Sequence, residues 1–108
     1  MGTDIGKNWD IILKTVYRHK KKIPLLLKAG MGMELLKQIN RSVDTVSERY
    51  KLKTLAWNGI IFNAILYWAN RGFEDTIEAL AVQLTELTKT LYDSEFAAMF
   101  DPGARGNA

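Results

Sequence analysis

The chain carries one histidine and no cysteine. Thiolate nucleophiles, disulfides and cysteine metal sites are therefore excluded together. The histidine, His19, sits in the run Arg18-His19-Lys20-Lys21-Lys22. No His/Asp/Glu group has the spacing of metal ligands. The densest carboxylate group is Glu74, Asp75 and Glu78. Negative charge in the first turn of a helix accounts for it without any acid–base role. There is no Gly-x-Ser-x-Gly elbow, phosphate-binding loop or dinucleotide fingerprint, and Gly30-Met31-Gly32 is too short to signify a phosphate cradle. The reading is a protein that is not an enzyme and has no catalytic residue, metal site or cofactor. The run Arg18–Lys22 has two explanations. It supplies cations at a helix C-terminus, or it touches phosphates. No base-reading helix or stacking aromatics accompany it.

Composition sets the frame for these residues. Hydrophobic residues make up 47% and charged residues 25% of 108 positions, as in an ordinary folded domain of modest core. Charge is unevenly spread. Residues 1–53 hold twelve Lys/Arg against five Asp/Glu, and residues 54–108 three against seven. The N-terminus has no signal-peptide pattern. The most apolar run, 55–69, is interrupted by Asn58, Gly59 and Asn63 and is shorter than a bilayer span. A cytoplasmic protein with no membrane partner is expected.

Helical spacing dominates, and no hairpin signal separates alternating runs. Trp9, Ile12, Leu13, Val16 and Tyr17 form the apolar stripe of a helix over 8–20. Pro24 stops it and starts a short helix over 24–29. After the joint at Gly30 and Gly32, a helix over 33–50 carries Leu35, Leu36, Ile39, Val43, Val46 and Tyr50. A third long helix covers 52–71, with Gly72 in the C′ position. The last helix has Asp75 as N-cap and Glu78 three positions on. Its seam is Ile77, Leu80, Leu84, Leu87 and Leu91, the 3–4 spacing of a coiled coil. By this division residues 1–7 are a disordered start or linker, 8–100 form the domain, and 101–108 are a flexible tail.

The helix over 52–71 is apolar nearly all round. Such a helix is covered from two sides. One side packs inside the chain. For the other, a two-fold dimer in which the last two helices of each copy build a four-helix bundle is the expected answer. Ile61, Ile65, Leu80, Leu84, Leu87 and Leu91 are the interface residues of that dimer. Gly59, Ala64 and Ala69 permit close approach, and Asn63 and Asn70, one heptad apart, are candidates to fix register. The competing explanation is that this helix is the core of a monomeric four-helix bundle.

The stretches YRHKKKIPLLLKAG and WNGIIFNAILYWANRGFEDTIEALAVQLTELTKTL carry a resemblance. Gly59, Trp68, the turn at Gly72, the acidic helix start at Asp75, and the seam Leu80, Leu84, Leu87 resemble the C-terminal ligand-binding and dimerisation domain of TetR-family transcriptional regulators. The compact type found in dihydroxyacetone kinase regulators is the nearest in pattern. The likeness extends over about residues 8–95. It implies an all-α antiparallel bundle of four main helices, the last two forming an intersubunit four-helix bundle. It also implies a pocket for a small apolar effector. Trp9, Leu13, Tyr17, Met33, Leu36, Trp57 and Phe62 are the residues chosen to line it, with Asn58 and Tyr67 as polar contacts. Aromatic walls with a methionine rim suit such a ligand, and plain core packing suits the same residues. TetR regulators begin with a helix-turn-helix domain. Only MGTDIGK precedes the first helix here, so DNA is expected as a partner only through a missing N-terminal domain. The alternative function is a helical interaction module that binds a different co-regulator chain and has no small-molecule pocket.

Overall fold

The structure is a computed structural model that describes residues 5–41 and 43–91. It holds α1 (Ile5–Arg18), α2 (Lys22–Lys28), α3 (Gly32–Ile39), a 3₁₀ turn (Val43–Thr45), α4 (Glu48–Asn70) and α5 (Ile77–Thr88). Among the described residues there is no strand, and no helix is long and apolar enough to cross a membrane. The chain divides into two compact units, Met1–Lys14 with Thr76–Ala108, and Thr15–Asp75.

The first unit is closed by Trp9 and Thr88. Trp9 and Leu13 are buried on α1; Leu80, Leu84 and Thr88 are buried on α5. The spacing 80, 84, 88 is one helical stripe. The Trp9 indole N–H donates to Thr88 Oγ1 at 2.9 Å, and the Thr88 hydroxyl donates in turn to the Leu84 carbonyl at 2.6 Å. Both polar groups are thus satisfied inside the core, where an unpaired one costs about 1–3 kcal/mol. Thr76 caps α5: its Oγ1 accepts from the Ala79 N–H at 3.1 Å, satisfying a first-turn donor.

In the second unit α2 packs on α3, α3 on α4, and the 3₁₀ turn on α4. Ile23 anchors α2, and Val43 anchors the turn. The inner stripe of α4 is Thr54, Trp57, Asn58, Ile65 and Trp68. Each buried tryptophan contributes about 3 kcal/mol from the area removed from water. Two helices end in the same device. The Gly72 and Phe73 N–H groups bond back to Ala69 and Trp68, and the Gly30 and Met31 N–H groups to Leu27 and Leu26. These are Schellman caps with glycine at C′. The glycines have φ of 67° and 78°, where a Cβ is disfavoured. After Gly72, Phe73 also has positive φ, at 59°. Its ring is buried, with its centroid 5.2 Å from that of Trp68, and this packing holds an unfavourable backbone.

Four sequence expectations need correction. The helix read over 33–50 is broken. α3 stops at Ile39, the 3₁₀ turn intervenes, and α4 starts after Ser47, which is extended at φ −61°, ψ 151°. The buried side chain of Asn58 explains the stop. Its amide nitrogen donates to the Ile39 carbonyl at 3.3 Å and to Asn40 Oδ1 at 3.1 Å, satisfying a helix-end acceptor that helix continuation otherwise satisfies. Residues 5–7, read as linker, belong to α1. The cap of α5 is Thr76 rather than Asp75, because the Asp75 carboxylate is taken by Arg71 at 2.7 Å. The seam of α5 runs through Thr88, not Leu87, which is 77% exposed. Residues 1–4, the end of the expected domain over 92–100 and the expected tail over 101–108 lie outside the described residues.

Candidate functional site

No residue from Thr54 to Asn70 is charged. Thirteen of the seventeen are apolar, aromatic or glycine. The inner stripe of α4 takes Trp57, Ile65 and Trp68, and successive helical residues turn by about 100°. Leu52, Leu55, Gly59 and Tyr67 therefore fall on the opposite side, together with Asn63. Leu52 is 80% exposed, and Leu55 and Tyr67 are exposed as well. A Cβ built on Gly59 meets nothing within 4 Å. The result is a helix face turned to water that is uncharged from Leu55 to Tyr67, with a bare backbone at Gly59; Leu52 extends it into the charged first turns of the helix. Such a face loses little hydration on association, because it has no ion to desolvate.

The predicted interface residues divide. Ile65, Leu80 and Leu84 are buried within the chain. Ile61 and Leu91 are half-buried, and Leu87 is exposed. Asn63 is exposed and donates to the Gly59 carbonyl of its own helix at 3.0 Å. Sequence periodicity marked α4 as two-sided but did not separate its sides. Leu52 and Leu55, the most exposed leucines of that helix, were missed. The run of residues with no charge was the available signal, and the 100° offset from the tryptophans would have placed them.

The predicted pocket residues divide too. Trp9 and Leu13 are buried in the first unit. In the second, Trp57 is buried, Leu36 and Phe62 are half-buried, and Tyr17 and Met33 are exposed. Since α3 packs on α4, Leu36 and Trp57 lie on neighbouring elements. Of the two polar candidates, Asn58 is occupied at the end of α3. Tyr67 is outward, with the Arg71 guanidinium 5.2 Å from its ring centre.

At the end of α4 the polar groups form a closed set. The Trp68 indole donates to the Asp75 carbonyl at 3.0 Å. Arg71 pairs with Asp75, and the hydrogen bond and charge of that carboxylate hold its guanidinium above its ordinary pKa. Tyr17 leans on Trp68 with ring centroids 5.7 Å apart. Among the described residues no group of three or more His, Cys, Asp or Glu is placed to hold a metal ion. Thr54 Oγ1 is, among the described residues, a side-chain polar atom buried without a hydrogen-bond partner. No family model matches the chain, and no curated protein or solved structure matches it.

Proposed function

We propose that the chain is a helical dimerisation domain of the TetR-regulator kind, in which the outward face of α4 packs against the same face of a second copy. The observation that carries this is the exposed apolar surface of Leu52, Leu55 and Tyr67, uncharged from Leu55 to Tyr67 with Gly59 within it. A face with no charge meets its own copy without like-charge repulsion, and glycine lets two helix backbones draw close. Apolar side chains standing in water on one continuous helix gain about 25 cal/mol for each Å² covered. In such a regulator, effector occupancy is coupled to the arrangement of two DNA-reading heads. The effector-binding half of the assignment rests on the sequence resemblance.

A heterologous partner chain is the second reading. What favours it is the burial of Ile65, Leu80 and Leu84 within one copy, which withdraws three residues from the symmetrical bundle. Sedimentation equilibrium at micromolar concentration tests both. Under the dimer reading the wild type sediments as two chains, and Leu52→Glu with Leu55→Glu yields a folded single chain. A wild type that stays monomeric across the micromolar range removes the homodimer and leaves the partner-chain reading.

A further inference from the structure

No Asp or Glu occurs from residue 11 to residue 33, while Arg18, Lys20, Lys21, Lys22 and Lys28 fall within that span. Lys20 is engaged by Tyr17: its ammonium donates to the phenol oxygen at 2.7 Å and lies 3.9 Å from the ring centre. Among the described residues no carboxylate pairs with Arg18, Lys21, Lys22 or Lys28. Asp75, whose backbone carbonyl accepts from the Trp68 indole, has its carboxylate already taken by Arg71.

Apolar side chains are interleaved with these cations. Ile23 is the inward anchor of α2, so Lys22, Leu25 and Lys28, three positions apart, lie on its outer side. Leu25 is 67% exposed. Past the Schellman turn, Met31 is exposed and Met33 is 64% exposed. The segment from Lys21 to Met33 thus carries exposed Leu25, Met31 and Met33 in a stretch whose only charges are cations.

We infer that the surface of α2 and the turn after it docks on an anionic phospholipid bilayer. Lysines lie at the level of the headgroups, and Leu25 and Met33 enter the boundary beneath. Crossing a bilayer and lying on one are different requirements, and the second needs only apolar side chains backed by cations. Nucleic acid answers the charge but leaves Leu25, Met31 and Met33 in water. A bilayer interface answers both. The inference does not depend on the dimer proposed above, since it uses α2 and α3 rather than the outer face of α4.

Co-sedimentation of the full chain with vesicles tests it. The chain is expected to pellet with mixed phosphatidylcholine–phosphatidylserine vesicles and to stay in solution with phosphatidylcholine alone. Lys21→Gln with Lys22→Gln and Lys28→Gln is expected to lower the partition coefficient about 100-fold, since each lysine near the surface is worth about a factor of five. Leu25→Ala is expected to lower it about tenfold at unchanged charge. All these positions are exposed, and circular dichroism verifies that the variants fold. Failure of the wild type to pellet with the mixed vesicles overturns the inference. So does a Leu25→Ala variant that partitions like the wild type, or tighter binding to duplex DNA than to the vesicles.

Discussion

At the residue scale, the buried polar atoms separate into satisfied and orphaned. Thr88 is satisfied twice over, by the Trp9 indole and by the Leu84 carbonyl. Thr88→Val keeps the shape and strands the indole N–H, so urea unfolding should show a loss of about 1–3 kcal/mol. Thr88→Ser, which keeps the hydroxyl, should lose less. Thr54 is the opposite case. Its hydroxyl is buried with no partner, so Thr54→Val should be neutral or raise stability by up to about 1 kcal/mol in the same assay. A loss of more than about 1 kcal/mol there would mean that the hydroxyl has a partner. No periodicity of hydrophobic residues distinguishes these two threonines. What separates them is a tertiary contact in one case and its lack in the other.

At the element scale, legibility followed locality. The stripe on α1 and the C′ role of Gly72 depend on neighbours within one or two turns, and both were readable in the chain; the break expected at Pro24 falls earlier, since α1 ends at Arg18 and Pro24 lies inside α2. The interruption between α3 and α4 was not. Val43 and Val46 continue the apolar spacing of Leu36 and Ile39, so the pattern alone favours one helix over 33–50. What ends α3 is Asn58, eighteen residues beyond Asn40, reaching back from α4. The same limit applied to the candidate surface: its helix was identified, whereas the outward set Leu52 and Leu55 depended on which side the tryptophans took. Two glycine substitutions test the elements. Gly72→Ala meets no close atom, so its cost is conformational, about 1 kcal/mol by thermal unfolding. Gly59→Ala in an isolated chain should stabilise α4 by about 0.5–1 kcal/mol. If a second copy approaches there, the same change should weaken association.

At the scale of the whole molecule, the proposed pairing makes stability a function of concentration. A partner that binds only the folded chain raises the melting temperature by mass action. The wild-type midpoint should climb as protein concentration increases, and that of Leu52→Glu with Leu55→Glu should not. A concentration-independent wild-type midpoint would speak against self-association through α4. Charge works in the other direction: the basic first half and the acidic second half leave a net +3, too small for self-repulsion to oppose pairing.

The hydrogen bond from Trp9 to Thr88 spans 79 positions of sequence. During synthesis at about 5–20 residues per second, that separation corresponds to a wait of about 4–16 s. Throughout it the indole has been made and its acceptor has not. For that interval α1 emerges with its apolar stripe bare, exposed to whatever meets nascent chains outside the ribosome. The unit that holds Trp9 has no α5 to pack on until then.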